Sequence, residues 1–211
     1  AVESFTRVRA IGSNPGDTGP EKFIAQTKSG LTFVFGDTSV SEDSVVRVGG
    51  KVHAWYVSRI IDTFGNYIEF HYSDDAAGTN FVVVTEVRYT GRMSDDSGDG
   101  SIVRHPYARI KFHYNTARND TFVSYLKGTA MRLEKLLTSA EVQEHRSGAW
   151  QTSWKYDLAY TDNSGLRGKA SNLKIISYSS GTDDIPSTVF DWKNPVQVTP
   201  QFHDFEGMGG A

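Results

Sequence analysis

Cysteine is absent from all 211 residues. That excludes a disulfide framework, cysteine nucleophiles and thiolate metal sites. Long apolar runs are also absent, so no segment approaches the roughly 18 residues that a membrane helix requires. No basic stripe exists, and the net charge is −3 with the charges dispersed, which disfavours a partner read through its phosphates. The first residues, Ala1-Val2-Glu3-Ser4-Phe5, carry neither an initiator Met nor the basic and apolar regions of a signal peptide, as expected of a processed chain or an excised fragment. Two motifs are missing as well. There is no Gly-x-Ser-x-Gly nucleophile elbow, and no Gly-x-x-x-x-Gly-Lys-Ser/Thr loop to cradle phosphate.

Aromatics and glycine are plentiful. The chain has 12 Phe, 10 Tyr, 4 Trp and 20 Gly. Rings favour pleated, half-buried surfaces, and glycine serves turns that need positive φ. The order of residues agrees. Phe23 to Thr27 alternates, Lys28-Ser29-Gly30 turns, and Leu31 to Phe35 returns to Gly36. Trp55 to Asp62 is apolar and β-branched, Phe64-Gly65-Asn66 turns, and Tyr67 to Tyr72 alternates. Further strands are predicted at Phe81–Tyr89, Tyr107–Tyr114, Ser153–Tyr160, Leu173–Tyr178 and Thr188–Trp192. The predicted fold class is all-β, a curved antiparallel sheet of consecutive hairpins with little or no helix. Its expected extent is residues 1–198, with 199–211 a Gly-rich tail or the start of a following module. Ala130 to Arg146 is ambiguous. Leu133, Leu136, Leu137 and Ala140 have helical spacing, yet the neighbours on both sides repeat the hairpin unit, which favours a strand hairpin around 132–160.

Candidate chemistry is sparse. His71 and His113 occupy matching Phe-His-Tyr strand ends, but they lack the spacing or carboxylate company of a zinc site. Alternation places both opposite the Phe and Tyr rings, on a polar face, and assigns the rings to the core. His53, His105, His145 and His203 show no metal spacing. Asp62, Glu69 and Glu86 lie on or beside strands and are the carboxylates available to a glycoside hydrolase, although Asp62 has the position of a turn stabiliser. Asp95 to Gly100 has oxygen ligands and glycine but not the full calcium loop, and reads as a solvated hairpin loop. Asn119-Asp120-Thr121 fits a glycosylation sequon, relevant only in a eukaryotic secretory chain. No catalytic, cofactor-binding or metal residue is therefore expected. An exposed aromatic platform for carbohydrate is the alternative that the rings leave open.

Several segments together resemble a bacterial toxin family. They are Phe23 to Gly30 with Phe33-Val34-Phe35-Gly36, then Ile60-Ile61-Asp62-Thr63-Phe64-Gly65-Asn66-Tyr67-Ile68-Glu69-Phe70-His71-Tyr72, then Ala108 to Tyr114 followed by Arg118-Asn119-Asp120. Tyr156 to Tyr160 and Pro186 to Trp192 resemble its closing strands. The order is similar to the SpvB-like N-terminal region shared with component B of insecticidal toxin complexes and related to Rhs/YD-repeat proteins, over roughly residues 23–193. Regular YD repeats are not present: Tyr156-Asp157 is the only Tyr-Asp pair and the Gly-Arg-Leu element is missing. Phe202 to Gly210 resembles the start of the blade repeats that follow in that family, without their acidic residues. The resemblance implies a non-catalytic scaffold of a secreted bacterial toxin complex. Its sheet would contribute to a shell, and its partners would be other segments or subunits and an enclosed toxin polypeptide.

Overall fold

A computed structural model of the chain describes residues 6–13, 19–74, 80–115, 118, 120–126, 128–161, 171–180 and 183–192, with 183 and 184 described by backbone only. The N-terminal five residues, Asn119 of the sequon, His203 and the 199–211 tail lie outside them.

Among the described residues, sixteen strands follow one another with a single 3-10 turn at Glu42–Ser44. They are β1 Arg7–Ile11, β2 Lys22–Gln26, β3 Thr32–Phe35, β4 Val45–Val48, β5 Lys51–Trp55, β6 Val57–Ile61, β7 Asn66–Asp74 and β8 Val82–Met93. Then come β9 Ile102–Arg104, β10 Ala108–Asn115, β11 Phe122–Leu126, β12 Thr129–Leu133, β13 Leu136–Arg146, β14 Ala149–Tyr160, β15 Leu173–Ser180 and β16 Asp183–Val189. Twelve of them form one open sheet, β1-β2-β3-β6-β7-β8-β10-β13-β14-β15-β16, with β9 paired to β8. Every pairing is antiparallel. The hairpins β4-β5 and β11-β12 stand apart as two-stranded sheets. The predicted all-β sheet of consecutive hairpins is what the chain forms. No helix of the described residues is long and apolar enough to cross a membrane.

The ambiguous segment is strand. Phe112 faces Ala140, and Ile110 faces Val142, which in turn faces Trp154. Pairing with β10 over Leu136–Glu144 and with β14 over Ser139–Arg146 fills both edges of most of β13, and this outweighs the local helical spacing. Leu133 does not join it, because it ends the separate β11-β12 hairpin.

The core departs from expectation. Alternation correctly separates Phe70 and Phe112 from His71 and His113, but the ring face is only half-buried. The fully buried cluster, Ile24, Val34, Ile61, Tyr67 and Met93, lies on the face that carries the histidines. Register shows this: Ile24 pairs with Val34, Val34 with Arg59, and Arg59 with Glu69. The reason is a cover that periodicity cannot reveal. The loop 94–101 folds back over Ile24 and Val34 and sets Gly98 against them. Gly98 has φ +87, which favours glycine, and a Cβ there would stand a tight 3.1 Å from a Val34 methyl. Thr32 Oγ1 donates to the Asp96 carbonyl at 2.7 Å, Arg9 donates to the Ser97 carbonyl, and Lys22 pairs with Asp99 at 3.2 Å. The expected solvated loop is therefore a lid. The Asp99 side chain pairs with the sheet, and Asp95 serves the local turn by accepting from the Ser97 N–H.

Candidate functional site

The residues that sequence reading singled out fall into two arrangements, one on each face of the sheet.

On the histidine face, charged side chains meet in a track that runs across the strands. Lys22 approaches Asp37 at 3.9 Å, and Asp37 pairs with Arg59 at 3.1 Å. Arg59 Nε lies 3.6 Å from Glu69, which Arg88 also approaches at 3.8 Å. Arg88 then pairs with Glu86 at 2.8 Å, and Glu86 with Arg109 at 3.0 Å. Arg109 donates to Gln143 at 2.7 Å and stacks over Trp150 at 4.2 Å. Gln143 donates to Glu141 and Thr152. Both histidines sit beside the track: His71 Nε2 is 2.9 Å from Glu69 and His113 Nε2 is 3.4 Å from Glu141. Arg59 and Glu69 are buried, 8% and 7% exposed, so these are not loose surface pairs.

This geometry explains the electrostatics. Burial opposes ionisation of Glu69, but the hydrogen bond from His71 and the positive charges of His71, Arg59 and Arg88 outweigh it, so its carboxyl titrates below the usual range. Glu86 behaves alike: burial opposes its charge, while the bond from Arg88 and the charges of Arg88, Arg109 and His71 prevail. Both carboxylates are thus held ionised and occupied. A glycosidase acid would need the opposite, a carboxyl pushed upward.

Asp62 stands apart. It accepts from the Phe64 N–H at 2.8 Å, the Asn66 N–H at 2.9 Å and the Asn66 side chain at 2.9 Å, which is the turn-stabilising role. It borders a shallow apolar depression with Leu31, Ile60 and Ile68, and Glu69 does not line it. His53, His105 and His145 are exposed, and the His145 ring edges Trp150. Among the described residues, no three His, Asp or Glu side chains group as a metal site.

On the opposite face the Phe-His-Tyr strand ends acquire a meaning that the sequence left hidden. Register shifts occur at His71/Tyr72 on β7, His113/Tyr114 on β10 and Ala159/Tyr160 on β14. At each, the tyrosine hydroxyl donates to a carbonyl of the preceding neighbour strand. Tyr72 reaches Val57 at 2.7 Å, Tyr114 reaches Val84 at 2.7 Å and Tyr160 reaches Leu137 at 2.8 Å. At the first two, a threonine of the following strand closes the bulge from the other side, Thr85 donating to the His71 carbonyl and Thr138 to the His113 carbonyl. Burial pushes all three phenols up, Tyr72 to about 12. Spacing alone could have flagged the repeated tyrosine but not the bulge beside it.

Repeated bulges, tyrosine staples and a sheet assembled in chain order define a fold that can be compared. It is the fold of the SpvB N-terminal domain. That domain of the effector protein from Salmonella typhimurium strain LT2 superposes with a TM-score of 0.64 at 15% identity, over 85% of this chain and 66% of the other. The crystal structure of TcdB2-TccC3-Cdc42, and that of TcdB2-TccC3 without its hypervariable C-terminal region, each match with a TM-score of 0.63 at 15% identity. Each match covers 84% of this chain and 10% of the larger one. The chain therefore spans two thirds or less of the proteins it resembles. No family model and no curated protein matches the sequence. The resemblance seen in the ordered motifs is borne out at the level of fold.

Proposed function

We propose that the chain is a non-catalytic structural segment of a secreted bacterial toxin-complex-like protein, its sheet forming part of a wall that encloses or presents a toxin polypeptide. The observation that carries this reading is the ion-pair track. Among the described residues, the carboxylates Glu69 and Glu86 on this face are engaged by cations of neighbouring strands, Glu141 by the Gln143 amide, and Asp157 pairs with Lys155 of its own strand. The partners of such a segment are other segments or subunits of the complex and the enclosed polypeptide. The shared fold with TcdB2-TccC3 and the SpvB domain supports the assignment.

A carbohydrate platform would instead need coplanar, exposed rings. Among the ring pairs of the described residues only Phe33 and Phe35 are near parallel, 17° apart, while the others are tilted or edge-on. The test is expression with whatever its gene encodes on either side, followed by limited proteolysis and electron microscopy. The expected result is a protease-resistant particle holding a protected polypeptide. Glycan binding abolished by Phe33→Ala, or hydrolysis abolished by Glu69→Gln, would refute the scaffold.

A further inference from the structure

The junction of β8 and β9 breaks a rule that the ion-pair track obeys. Along the track Arg59, Arg88 and Arg109 each meet a carboxylate, but Arg92 of β8 stands directly opposite Arg104 of β9. Like charges facing each other across two strands repel. Both side chains are exposed, and among the described residues neither has a carboxylate within ion-pair distance. Arg104 is nonetheless held in place. Its Nε donates to the Thr90 carbonyl at 3.0 Å, and its guanidinium lies 5.8 Å from the centre of the Tyr107 ring, a residue 49% exposed. Thr90 accepts the Tyr107 N–H on its hydroxyl at 3.0 Å. It does so at φ +76, a left-handed conformation that a β-branched residue rarely adopts. Strain of this kind persists where the surroundings enforce it, and it gathers at binding sites. Thr90 also lines the shallow apolar depression of Leu31, Ile60 and Ile68. Asn66, on the same rim, faces Arg92 across β7 and β8. The rim's one acid, Asp62, is spent on its own turn.

We propose that Arg92 and Arg104 recognise a carboxylate side chain on an acidic segment of a partner polypeptide, whose neighbouring apolar side chain sits in the depression. Charge selects the first part of this occupant. A carboxylate between the two guanidinium groups replaces their repulsion with charge-assisted hydrogen bonds, and the planar fork of arginine matches carboxylate geometry. The Thr90 carbonyl and the Tyr107 ring hold Arg104 beforehand, so less freedom is lost on binding. The depression selects the second part. A Glu or Asp beside Leu or Phe carries an anionic and an apolar group within one short segment, whereas an inorganic anion has nothing to place against Ile60 and Ile68. A nucleic acid fits less well, because two cations without a basic stripe cannot track a phosphate backbone. The proposal does not rest on the scaffold reading, since it concerns side chains of this chain alone.

Heteronuclear NMR on the 211-residue chain is the test, following the arginine Nε–H signals and the Thr90 and Tyr107 amides. The probes are an acetylated, amidated pentapeptide Leu-Glu-Phe-Glu-Leu, its Leu-Gln-Phe-Gln-Leu counterpart, sodium phosphate and a short single-stranded DNA. The acidic peptide should give saturable shifts at Arg92, Arg104 and Thr90 with a dissociation constant below about 1 mM. Arg92→Gln and Arg104→Gln should each weaken it by at least about tenfold. Arg132→Gln, at an exposed arginine of the separate β11-β12 hairpin, should leave it unchanged. Arg92→Gln has no hydrogen bond to lose and relieves the repulsion, so it should raise the melting temperature by about 1–4 °C, which separates lost binding from lost fold. Absence of shifts at the two arginines overturns the proposal, and so does an equal response to the glutamine peptide. Phosphate or DNA binding as tightly as the acidic peptide overturns the polypeptide assignment. A melting temperature lowered by Arg92→Gln removes the premise that the pair repels.

Discussion

Glu69 offers the sharpest test of the ion-pair track. The residue is 7% exposed, and its carboxylate faces the His71 imidazole at 2.9 Å and two cations, Arg59 at 3.6 Å and Arg88 at 3.8 Å. Removing one partner of a buried ion pair costs about 3–5 kcal/mol, chiefly because the other charge is left buried without compensation. Here the loss is smaller. Arg59 keeps Asp37 and Arg88 keeps Glu86, so neither cation is stranded. Glu69→Ala should therefore cost about 2–4 kcal/mol, and Glu69→Gln, which preserves shape and one acceptor, about 1–2 kcal/mol. For a chain of this size the first corresponds to a drop in melting temperature on the order of 4–16 °C.

The pH dependence distinguishes this account from mere packing. The folded-state pKa of Glu69 lies below its ordinary value of 4.5. A depressed carboxylate contributes stability that is fully present above the unfolded value and is lost as pH falls through the folded one. Urea titrations from neutral pH down to about 3 should thus show the wild type losing stability below roughly 4.5, near the unfolded carboxyl value, and Glu69→Gln losing less over the same interval. A double-mutant cycle with Arg59→Met should give a coupling of about 1–3 kcal/mol. If Glu69→Gln costs less than about 0.5 kcal/mol and its pH profile parallels the wild type, the track is decorative and the reasoning fails.

The tyrosine staples make a second prediction. Tyr114→Phe and Tyr160→Phe should each cost about 1–2 kcal/mol in denaturant melts by leaving a carbonyl unpaired at a bulge. In an ultraviolet titration Tyr72 should ionise only near pH 12. Gly98→Ala should loosen the lid, since the new methyl meets Val34 and Ile24 in a left-handed backbone conformation. Faster amide exchange at Thr32 would register it, and unchanged exchange would contradict the lid. Phe112→Ala should cost about 1.5–3 kcal/mol in the monomer, less than a fully buried ring, because its face is only half covered. A value above about 4 kcal/mol would mean that something packs on that face within one chain.

Much of the fold was legible because hairpins announce themselves locally. The turns at Lys28-Ser29-Gly30 and Phe64-Gly65-Asn66 and the alternation of Tyr67 to Tyr72 all lie within short windows, and the order of the motifs carried the resemblance to the SpvB-like region. What stayed hidden depends on distant residues. Alternation puts Tyr67 and Glu69 on the polar face with His71, and nothing in strand β7 shows that loop 94–101 shields the neighbouring strands of that face. Likewise Glu69 and Glu86 could be named as carboxylates, but the cations that occupy them come from three different strands. The separation of Asp62 from Glu69 was readable in part, since an Asp three residues before a Gly-Asn pair is where a turn side chain belongs.

One further step links the track, the bulges and the open sheet. A single-layer sheet cannot rely on a second layer to fix its register, and a one-residue slip would move every side chain to the other face. In this chain a slip of β8 against β7 would carry Glu86 and Arg88 onto the face of Phe70 and Tyr72, setting charge among rings and breaking two cross-strand ion pairs, Arg88 with Glu69 and Glu86 with Arg109. The track thus acts as a register lock spread over six strands from β6 to β14. Each bulge admits an extra residue, and its tyrosine staple keeps the shift in place at one point along the strand. Charges on one face specify how the strands align, while the opposite face carries the tyrosine staples. Side chains with the chemistry of an active site are thus abundant here because charged neighbours on adjacent strands fix the alignment of the sheet.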